Sequence, residues 1–165
     1  NRGGAGRFSL SPLSYLGVER GSVIVLPSPN GATLCLQTGE VPTFTACLRN
    51  AAAVAGAAVQ MGRRITVVAA GERWPSGALR PALEDWLGAG AVVARMAARR
   101  SPEAAAAEMA FGAARTRMVA TLVELQSGKE LIERGYEGDV RCAADLDATR
   151  RAPILVDGTF MAVDP

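Results

Sequence analysis

The sequence contains no histidine, and this absence excludes several kinds of chemistry. Without an imidazole there is no histidine general base, no phosphohistidine intermediate and no histidine-ligated metal site. Any metal bound by this chain is therefore expected to be a hard cation held by oxygen ligands. Aromatic residues make up only 5% of the chain, so few rings are available to stack on bases or sugars.

Cysteines and long apolar runs are also scarce. The three cysteines are far apart and form no C-x-x-C pair, so neither a zinc site nor a disulfide framework is indicated, and we interpret them as small buried hydrophobic residues. A net charge of +2 does not create the basic field that nucleic-acid binding needs. No run reaches the ~20 apolar residues of a membrane span, and no signal peptide is visible. We therefore expect a cytoplasmic protein that binds neither nucleic acid nor membrane.

Small residues dominate what is present, with 31 alanines and 18 glycines among 165 residues. The length suits one domain with a core of its own, so residues 1–165 are predicted to form a single α/β domain. Predicted strands alternate with predicted helices, which favours a three-layer sandwich with a largely parallel or mixed sheet between helices. Exposed small-residue helices favour association into a homodimer.

Apolar and β-branched segments predict strands at 22–26, 43–47, 65–70, 153–157 and 159–163. Helices are predicted at 32–37, 50–61, 79–100, 101–126 with a break near Gly112, 127–135 and 139–148. Two local signals are specific: Ser101 followed by Pro102 starts a helix, and Asp157-Gly158 is typical of a hairpin turn.

The first candidate site follows the strand predicted at 22–26. A turn and then a helix leave backbone N–H groups free at the helix start, where phosphate or carboxylate binds. Gly31 permits close approach of the anion, and the hydroxyls of Ser28 and Thr33 are additional donors. The alternative is an ordinary strand–turn–helix connection capped by Asn30.

The second candidate site is the loop Gly71-Glu72-Arg73, after the strand predicted at 65–70. Ligands of open α/β sheets bind at the carboxyl ends of strands, and this loop lies at such an end. Arg73 is therefore predicted to clamp an anionic substrate. The alternative is a solvated charged loop.

The third candidate site is the acidic pair Glu84 and Asp85, within an otherwise apolar helix. Adjacent residues of a helix point about 100° apart, so the two carboxylates cannot face the core alike. One is predicted to turn to the ligand end of the sheet and coordinate Mg²⁺, while the other is solvated. Gly88 and Gly90 are predicted to serve close packing or ligand approach.

One tempting motif is rejected. The segment Asp145-Leu146-Asp147-Ala148-Thr149 matches the D-x-D-x-T pattern of aspartyl-phosphate phosphatases. That chemistry needs a buried strand before the motif and a whole domain after it. The residues before Asp145 do not form a strand pattern, and too few residues follow Thr149.

Seven segments, taken in order, resemble the 2-phosphosulfolactate phosphatase family; they are 8–13, 28–32, 48–51, 70–71, 83–90, 127–131 and 138–153. The chain departs from the family at Leu10 and Ala32, and it lacks the family's N-terminal aspartate-valine-leucine-arginine-alanine segment. We therefore expect the chain to correspond to the C-terminal two-thirds of that family's fold.

The resemblance implies a Mg²⁺-dependent phosphoric monoester hydrolase. It would convert 2-phosphosulfolactate, or a similar small phosphorylated hydroxy acid, to the hydroxy acid and phosphate, a step towards coenzyme M. Together with the local arguments, it predicts that Glu84 and Asp85 are catalytic and bind the metal. The predicted substrate-binding residues are Ser28, Asn30, Gly31, Asn50 and Arg73, with Ser11 as a supporting polar group.

This hypothesis requires that Gly31 and Asp85 meet around one pocket. Two alternatives remain at the level of the sequence: a non-catalytic anion-binding or interaction domain, and an inactive fragment of the enzyme.

Overall fold

Helices make up most of the regular structure in the computed structural model, which describes residues 8–26 and 30–163. The helices are α1 (Gly31–Leu36), α2 (Ala51–Met61), α3 (Leu83–Val93), α4 (Pro102–Ala114), α5 (Met118–Glu124), α6 (Gln126–Glu133) and α7 (Glu137–Ala143). The strands are β1 (Glu72–Arg73), β2 (Leu79–Arg80), β3 (Ala152–Val156) and β4 (Thr159–Val163). Within these ranges, 3₁₀ turns cover Pro12–Tyr15, Leu48–Asn50 and Arg115–Arg117. The predicted mixture of helix and strand is confirmed.

The start of α4 follows from two neighbouring residues. Ser101 Oγ accepts a hydrogen bond from the Ala104 N–H at 3.3 Å, and Pro102 occupies the first turn, where an N–H would have no helical partner. The predicted helix start is therefore confirmed. The predicted break near Gly112 is wrong in position, because the interruption is the 3₁₀ turn Arg115–Arg117.

Helix α3 is shorter than the sequence predicts. It ends at Val93, whereas the prediction extended the helix to Arg100. The guanidinium of Arg100 donates to the Val93 carbonyl oxygen at 3.1 Å and pairs with Glu108 at 2.7 Å. A carbonyl of the last turn is thereby satisfied by a side chain, so no further turn of helix is needed. None of the helices in the described ranges has both the length and the apolar character that a membrane span requires.

Helices α3 and α4 pack together unusually closely at Gly90. A Cβ atom placed on Gly90 would lie 2.1 Å from the carbonyl oxygen of Ala107 and 2.9 Å from the Cβ of Phe111. No side chain other than hydrogen fits there, which confirms the packing role predicted for Gly90. Gly88, two residues earlier, has nothing within 4 Å of such a Cβ, so close packing does not explain it.

The main core is built from the buried faces of α2 to α5 and α7. Leu87 is its largest fully buried side chain, at 2% exposure. Because many of its buried side chains are small, the helix backbones lie close to one another. Its buried members are Leu48, Ala51, Ala55, Ala58, Leu87, Ala91, Val92, Met96, Phe111, Met118, Leu122, Val140 and Ala144.

The C-terminal hairpin confirms a prediction made from two residues. Asp157 (φ 48°) and Gly158 (φ 75°) both have positive φ, which is the geometry of a two-residue hairpin turn matched to strand twist. The strands pair antiparallel, from Val156 opposite Thr159 at the turn to the far ends of β3 and β4. Phe44 forms an isolated antiparallel bridge with β3. This bridge is the only strand pairing in the segment 43–47, which the sequence predicts as a strand.

The predicted parallel sheet is not present among the described residues. Their two sheets are the antiparallel hairpins β1–β2 and β3–β4, and the segments 22–26 and 65–70 are not strands. Residues 79–80, predicted as helix, belong to β2. A buried parallel strand requires neighbours on both edges and cover on both faces. Val23 (84% exposed), Val25 (86%) and Val68 (62%) have no such cover.

The cysteines are free thiols. Cys35 and Cys142 are half-buried, whereas Cys47 is exposed. Their interpretation as buried hydrophobic residues is therefore wrong for Cys47.

Candidate active site

The acidic start of α3 is joined to the loop after residues 65–70. The backbone N–H of Gly71 donates a hydrogen bond of 2.8 Å to Oδ2 of Asp85. Gly71 has φ +69°, a conformation that favours glycine, and a Cβ there would lie 3.1 Å from Leu79 Cδ1. This hydrogen bond joins the second and third candidate sites predicted from the sequence.

The charges of two neighbouring carboxylates act on Asp85 in this site. Asp85 is half-buried, and loss of water around it raises its pKa above the ordinary value of 3.8. The hydrogen bond from Gly71 acts in the opposite direction, and the negative charges of Glu84 and Glu72 raise the pKa further. A carboxyl group perturbed by burial together with charged neighbours is typical of functional sites. Asp85 is the member of the pair that the loop engages, both residues are half-buried, and the metal-binding role predicted for the pair stays a prediction.

Arg80 lies at the edge of this acidic site and balances part of its charge. Its guanidinium makes two hydrogen bonds to Glu130, of 2.9 and 3.3 Å, and lies 3.1 Å from Glu72 Oε2. It also lies over the ring of Trp74, 4.9 Å from the centroid. These bonds connect the β1–β2 hairpin to α6. Hydrogen bonds from Arg80 and Gln126 lower the pKa of Glu130.

Sequence analysis missed the pairing of Arg80 with Glu130. Fifty positions separate the two residues, and no local pattern marks either as the partner of the other. Glu130 lies in one of the segments that carry the family resemblance, which was the available signal.

Arg73 lies in the same hairpin as Glu72, and its side chain is exposed. Its Nη1 donates to the carbonyl oxygen of Gly77 at 2.9 Å, across the hairpin turn. The structure therefore places Arg73 next to the acidic site, with one of its donors engaged by the turn. Its predicted role in anion binding stays a prediction.

Asn50 is buried, and both ends of its side-chain amide are engaged by backbone groups. Its Oδ1 accepts from the Cys47 N–H at 2.8 Å. Its Nδ2 donates to the carbonyl oxygens of Thr45 at 3.3 Å and Arg151 at 3.4 Å. These bonds hold the 3₁₀ turn before α2 against the segment that leads into β3. A further role in substrate binding stays a prediction.

The turn before α1 is not joined to the acidic site in the described part of the chain. The carbonyl oxygen of Asn30 accepts from the Leu34 N–H at 3.2 Å, but the Asn30 side chain does not cap α1. Ser28 lies outside the described residues. Across residues 8–26 and 30–163, no hydrogen bond or ion pair joins Asn30 or Gly31 to Glu84 or Asp85. The predicted meeting of Gly31 and Asp85 therefore stays a prediction.

Ser11 and Asp139 form a buried pair that spans most of the chain. Ser11 Oγ donates to Asp139 Oδ1 at 2.6 Å, and the residues are 9% and 4% exposed. The pair fixes the 3₁₀ turn that begins at Pro12 against α7. Leu13 packs there so closely that a Cβ on Gly138 would lie 2.9 Å from its Cδ1. Sequence analysis identified Ser11 but not its partner.

The rejected D-x-D-x-T segment has a structural role. Asp145 pairs with Arg49 at 2.9 Å. Asp147 Oδ1 accepts from the Ala52 N–H at 2.8 Å, at the start of α2, and its other oxygen pairs with Arg95, which follows the end of α3. Both carboxylates are thus used to fasten the segment to the helices.

Carboxylate oxygens are the donors that this site offers to Mg²⁺. Across the ranges the structure describes, no three carboxylate or thiol side chains converge to hold a metal ion. Mg²⁺ keeps several waters and is bound through one or two carboxylates plus substrate phosphate. Asp85, with Glu84 and Glu72 nearby, offers that environment. In the described ranges, these oxygen donors suit a hydrated Mg²⁺ better than an ion enclosed by protein ligands alone, and Mg²⁺ binding itself stays a prediction.

Comparisons with known proteins agree with the resemblance seen in the sequence. A family model described as 2-phosphosulpholactate phosphatase matches residues 6–158. The chain is 31% identical over 139 residues to a protein named 2-phosphosulfolactate phosphatase from Methanothermobacter thermautotrophicus (strain Delta H). That alignment covers 84% of this chain and 58% of the relative, so the chain spans less than two thirds of the relative's length. Because the family model covers nearly all of the chain, the chain belongs to the 2-phosphosulpholactate phosphatase family.

Proposed function

We propose that this chain carries the site of a Mg²⁺-dependent phosphatase that acts on 2-phosphosulfolactate or a similar small phosphorylated hydroxy acid. The products are the hydroxy acid and phosphate, and the reaction would serve as a step towards coenzyme M. Family membership supports the reaction type, and the name of the relative supports the substrate. The observation that carries the proposal is the hydrogen bond from Gly71 to Asp85, because it joins the loop that carries Arg73 to the acidic pair.

Each part of this site has a proposed role. Asp85, held by Gly71, and Glu84 would hold Mg²⁺ and its waters. When bound, Mg²⁺ would offset the negative charge of the phosphoryl group during its transfer. Arg73 would contact a second acidic group of the substrate, since a guanidinium suits sulfonate and carboxylate. Arg80 holds the hairpin that carries Arg73 in place through its bonds to Glu130.

The remaining predictions about the whole protein belong to this proposal. A cytoplasmic location and a homodimer are consistent with an enzyme of this kind. A small net charge of +2 supports the expectation that nucleic acid is not a partner.

Phosphate release from 2-phosphosulfolactate, measured with and without Mg²⁺, tests the proposal. We expect Mg²⁺-dependent release by the wild-type chain, a large loss in Glu84→Gln and Asp85→Asn, and no loss in Glu133→Gln, an exposed acid of α6. Failure to release phosphate from this or any small phosphorylated hydroxy acid, with or without Mg²⁺, would overturn it. Calorimetric binding of 2-phosphosulfolactate without turnover would favour the non-catalytic alternative.

A further inference from the structure

A groove with a basic rim lies apart from the acidic site. Its volume is about 790 Å³, within the range of sites that bind small molecules. One wall is the segment from the 3₁₀ turn Arg115–Arg117 into α5, and the other is α7 with the turn that follows it. None of Gly71, Glu72, Glu84 or Asp85 lines it.

Two arginines of this groove have no counter-charge. Arg115 and Arg117 are exposed, and neither guanidinium makes a hydrogen bond or ion pair in the described part of the chain. The third arginine of the rim, Arg141, is hydrogen-bonded to Glu137 at 2.8 and 3.0 Å. The unbalanced positive charge therefore comes from Arg115 and Arg117.

The acidic residues of the groove are already paired elsewhere. Asp145 Oδ2 lies 2.9 Å from the guanidinium of Arg49. Glu124 lies 3.7 Å from the ammonium group of Lys129. Neither acid is bonded to Arg115 or Arg117, so an anion entering the groove would meet two uncommitted guanidinium groups.

The floor between these charges is apolar. Met118 and Ala144 are 4% and 5% exposed, and Val123 and Leu146 are half-buried beside them. A simple inorganic anion would leave this floor uncovered. A ligand complementary to this groove therefore needs two negative charges to pair with the two arginines. It also needs an apolar body to cover the floor.

We propose that this groove binds a small organic dianion, an apolar body bearing a phosphonate, phosphate or pair of carboxylates, at a site separate from the phosphatase site. Arg115 and Arg117 hold the acidic oxygens, and the floor at Met118 and Leu146 receives the apolar part. The apolar floor beside the two arginines favours a ligand with an apolar body over a wholly polar anion. Because the residues differ from those of the proposed phosphatase site, the inference does not depend on that activity.

Phenylphosphonate is a suitable probe, since it has a ring and two ionisable oxygens and contains no ester bond to hydrolyse. Titration of the ¹⁵N-labelled chain at mildly alkaline pH and low salt would be followed by amide chemical shifts. We expect saturable shifts centred on 115–124 and 141–146, and weaker binding as salt is added. Arg115→Gln/Arg117→Gln should weaken binding about tenfold or more, as expected when charge-assisted hydrogen bonds are lost.

The matched control is Arg63→Gln/Arg64→Gln, which removes the same charge from an exposed pair outside the groove. Equal weakening in both double variants would mean general charge attraction and would overturn the proposal. An absence of shifts in the groove would also overturn the proposal. Unchanged binding by the Arg115→Gln/Arg117→Gln variant, together with a lower melting temperature, would overturn it too, because the arginines would then only stabilise the end of α4. Amide shifts caused by a glutamate-rich peptide but not by phenylphosphonate would overturn the proposal of a small ligand and indicate a protein partner instead.

Discussion

Gly71 donates its backbone N–H to Oδ2 of Asp85 across 2.8 Å, and this bond joins a loop and a helix start that are 14 positions apart. The loop holds Glu72, whose charge acts on Asp85 in the same direction as that of Glu84. This hydrogen bond thus holds the loop that carries Glu72 next to Glu84 and Asp85, the acidic residues on which the proposed activity depends.

Asp85→Asn should raise the melting temperature at neutral pH. Because the folded pKa of Asp85 is above its ordinary value of 3.8, its stabilising contribution is full below that value and is lost as pH rises through the folded pKa. The ionised group is therefore costly at neutral pH, and Asn removes the charge while keeping an oxygen that accepts from Gly71. Melting temperatures across a pH series should show an advantage that disappears in acid.

Asp85→Ala is the control for this interpretation. It removes both the charge and the acceptor, so the Gly71 N–H loses its partner at a cost of about 1–2 kcal/mol. An Asn variant no more stable than the Ala variant at neutral pH would contradict the assigned balance of charge and hydrogen bond.

Gly90→Ala should destabilise the chain by about 1–3 kcal/mol or more, because the new methyl group would overlap the Ala107 carbonyl of α4. Chemical denaturation measures the change. Gly88→Ala is the matched control in the same helix: it has open space and should gain about 0.5–1 kcal/mol from the loss of glycine in a helix. Equal effects of the two substitutions would show that the close α3–α4 contact is wrong.

Arg80→Lys and Glu130→Gln should each lower the melting temperature, and the double variant should lose less than the sum. Lysine cannot reproduce the two parallel hydrogen bonds to Glu130. Since the pKa of Glu130 is lowered from 4.5, its contribution is present above that value and is lost as pH falls through the folded pKa. The exposed pair Glu137 and Arg141 is the comparison, and Arg141→Lys should change the melting temperature little. Additive losses for Arg80 and Glu130 would contradict the coupling.

Asp147→Asn should cost less stability than Asp147→Ala. Asn keeps the acceptor for the Ala52 N–H and tolerates the positive φ of 51°, whereas Ala loses both advantages. We expect about 2 kcal/mol or more for the Ala variant, from charge-assisted bonds to Arg95 and the helix start. Asp145→Asn, at a side chain 66% exposed, should have a smaller effect in the same denaturation assay. A larger loss at Asp145 would reverse the roles assigned here.

Local features were predictable because their causes lie within a few residues. Ser101 and Pro102 start α4 through one side-chain hydrogen bond and one fixed backbone angle. Asp157 and Gly158 turn the C-terminal hairpin through their positive φ angles. Each outcome depends on neighbours in the chain, so the sequence alone contains the information.

The predicted strands at 22–26 and 65–70 show where this kind of inference fails. Their apolar, β-branched composition is typical of buried strands, yet their pairing depends on partners that composition does not name. The same holds for the candidate site. Gly71 and Asp85, which were predicted separately, proved to be hydrogen-bonded, while no hydrogen bond joins the turn at Asn30 to them in the described part of the chain.

The amino-acid sequence by itself determined the family, the absence of imidazole chemistry, the start of α4 and the final turn, because those follow from residue identity and short-range backbone sterics. Only the tertiary structure decided that Gly71 reaches Asp85, that Arg80 meets Glu130 and that Arg115 and Arg117 share an apolar groove. These relationships join residues brought together by packing of whole elements, and that packing is set by the combined burial of many side chains rather than by any local pattern.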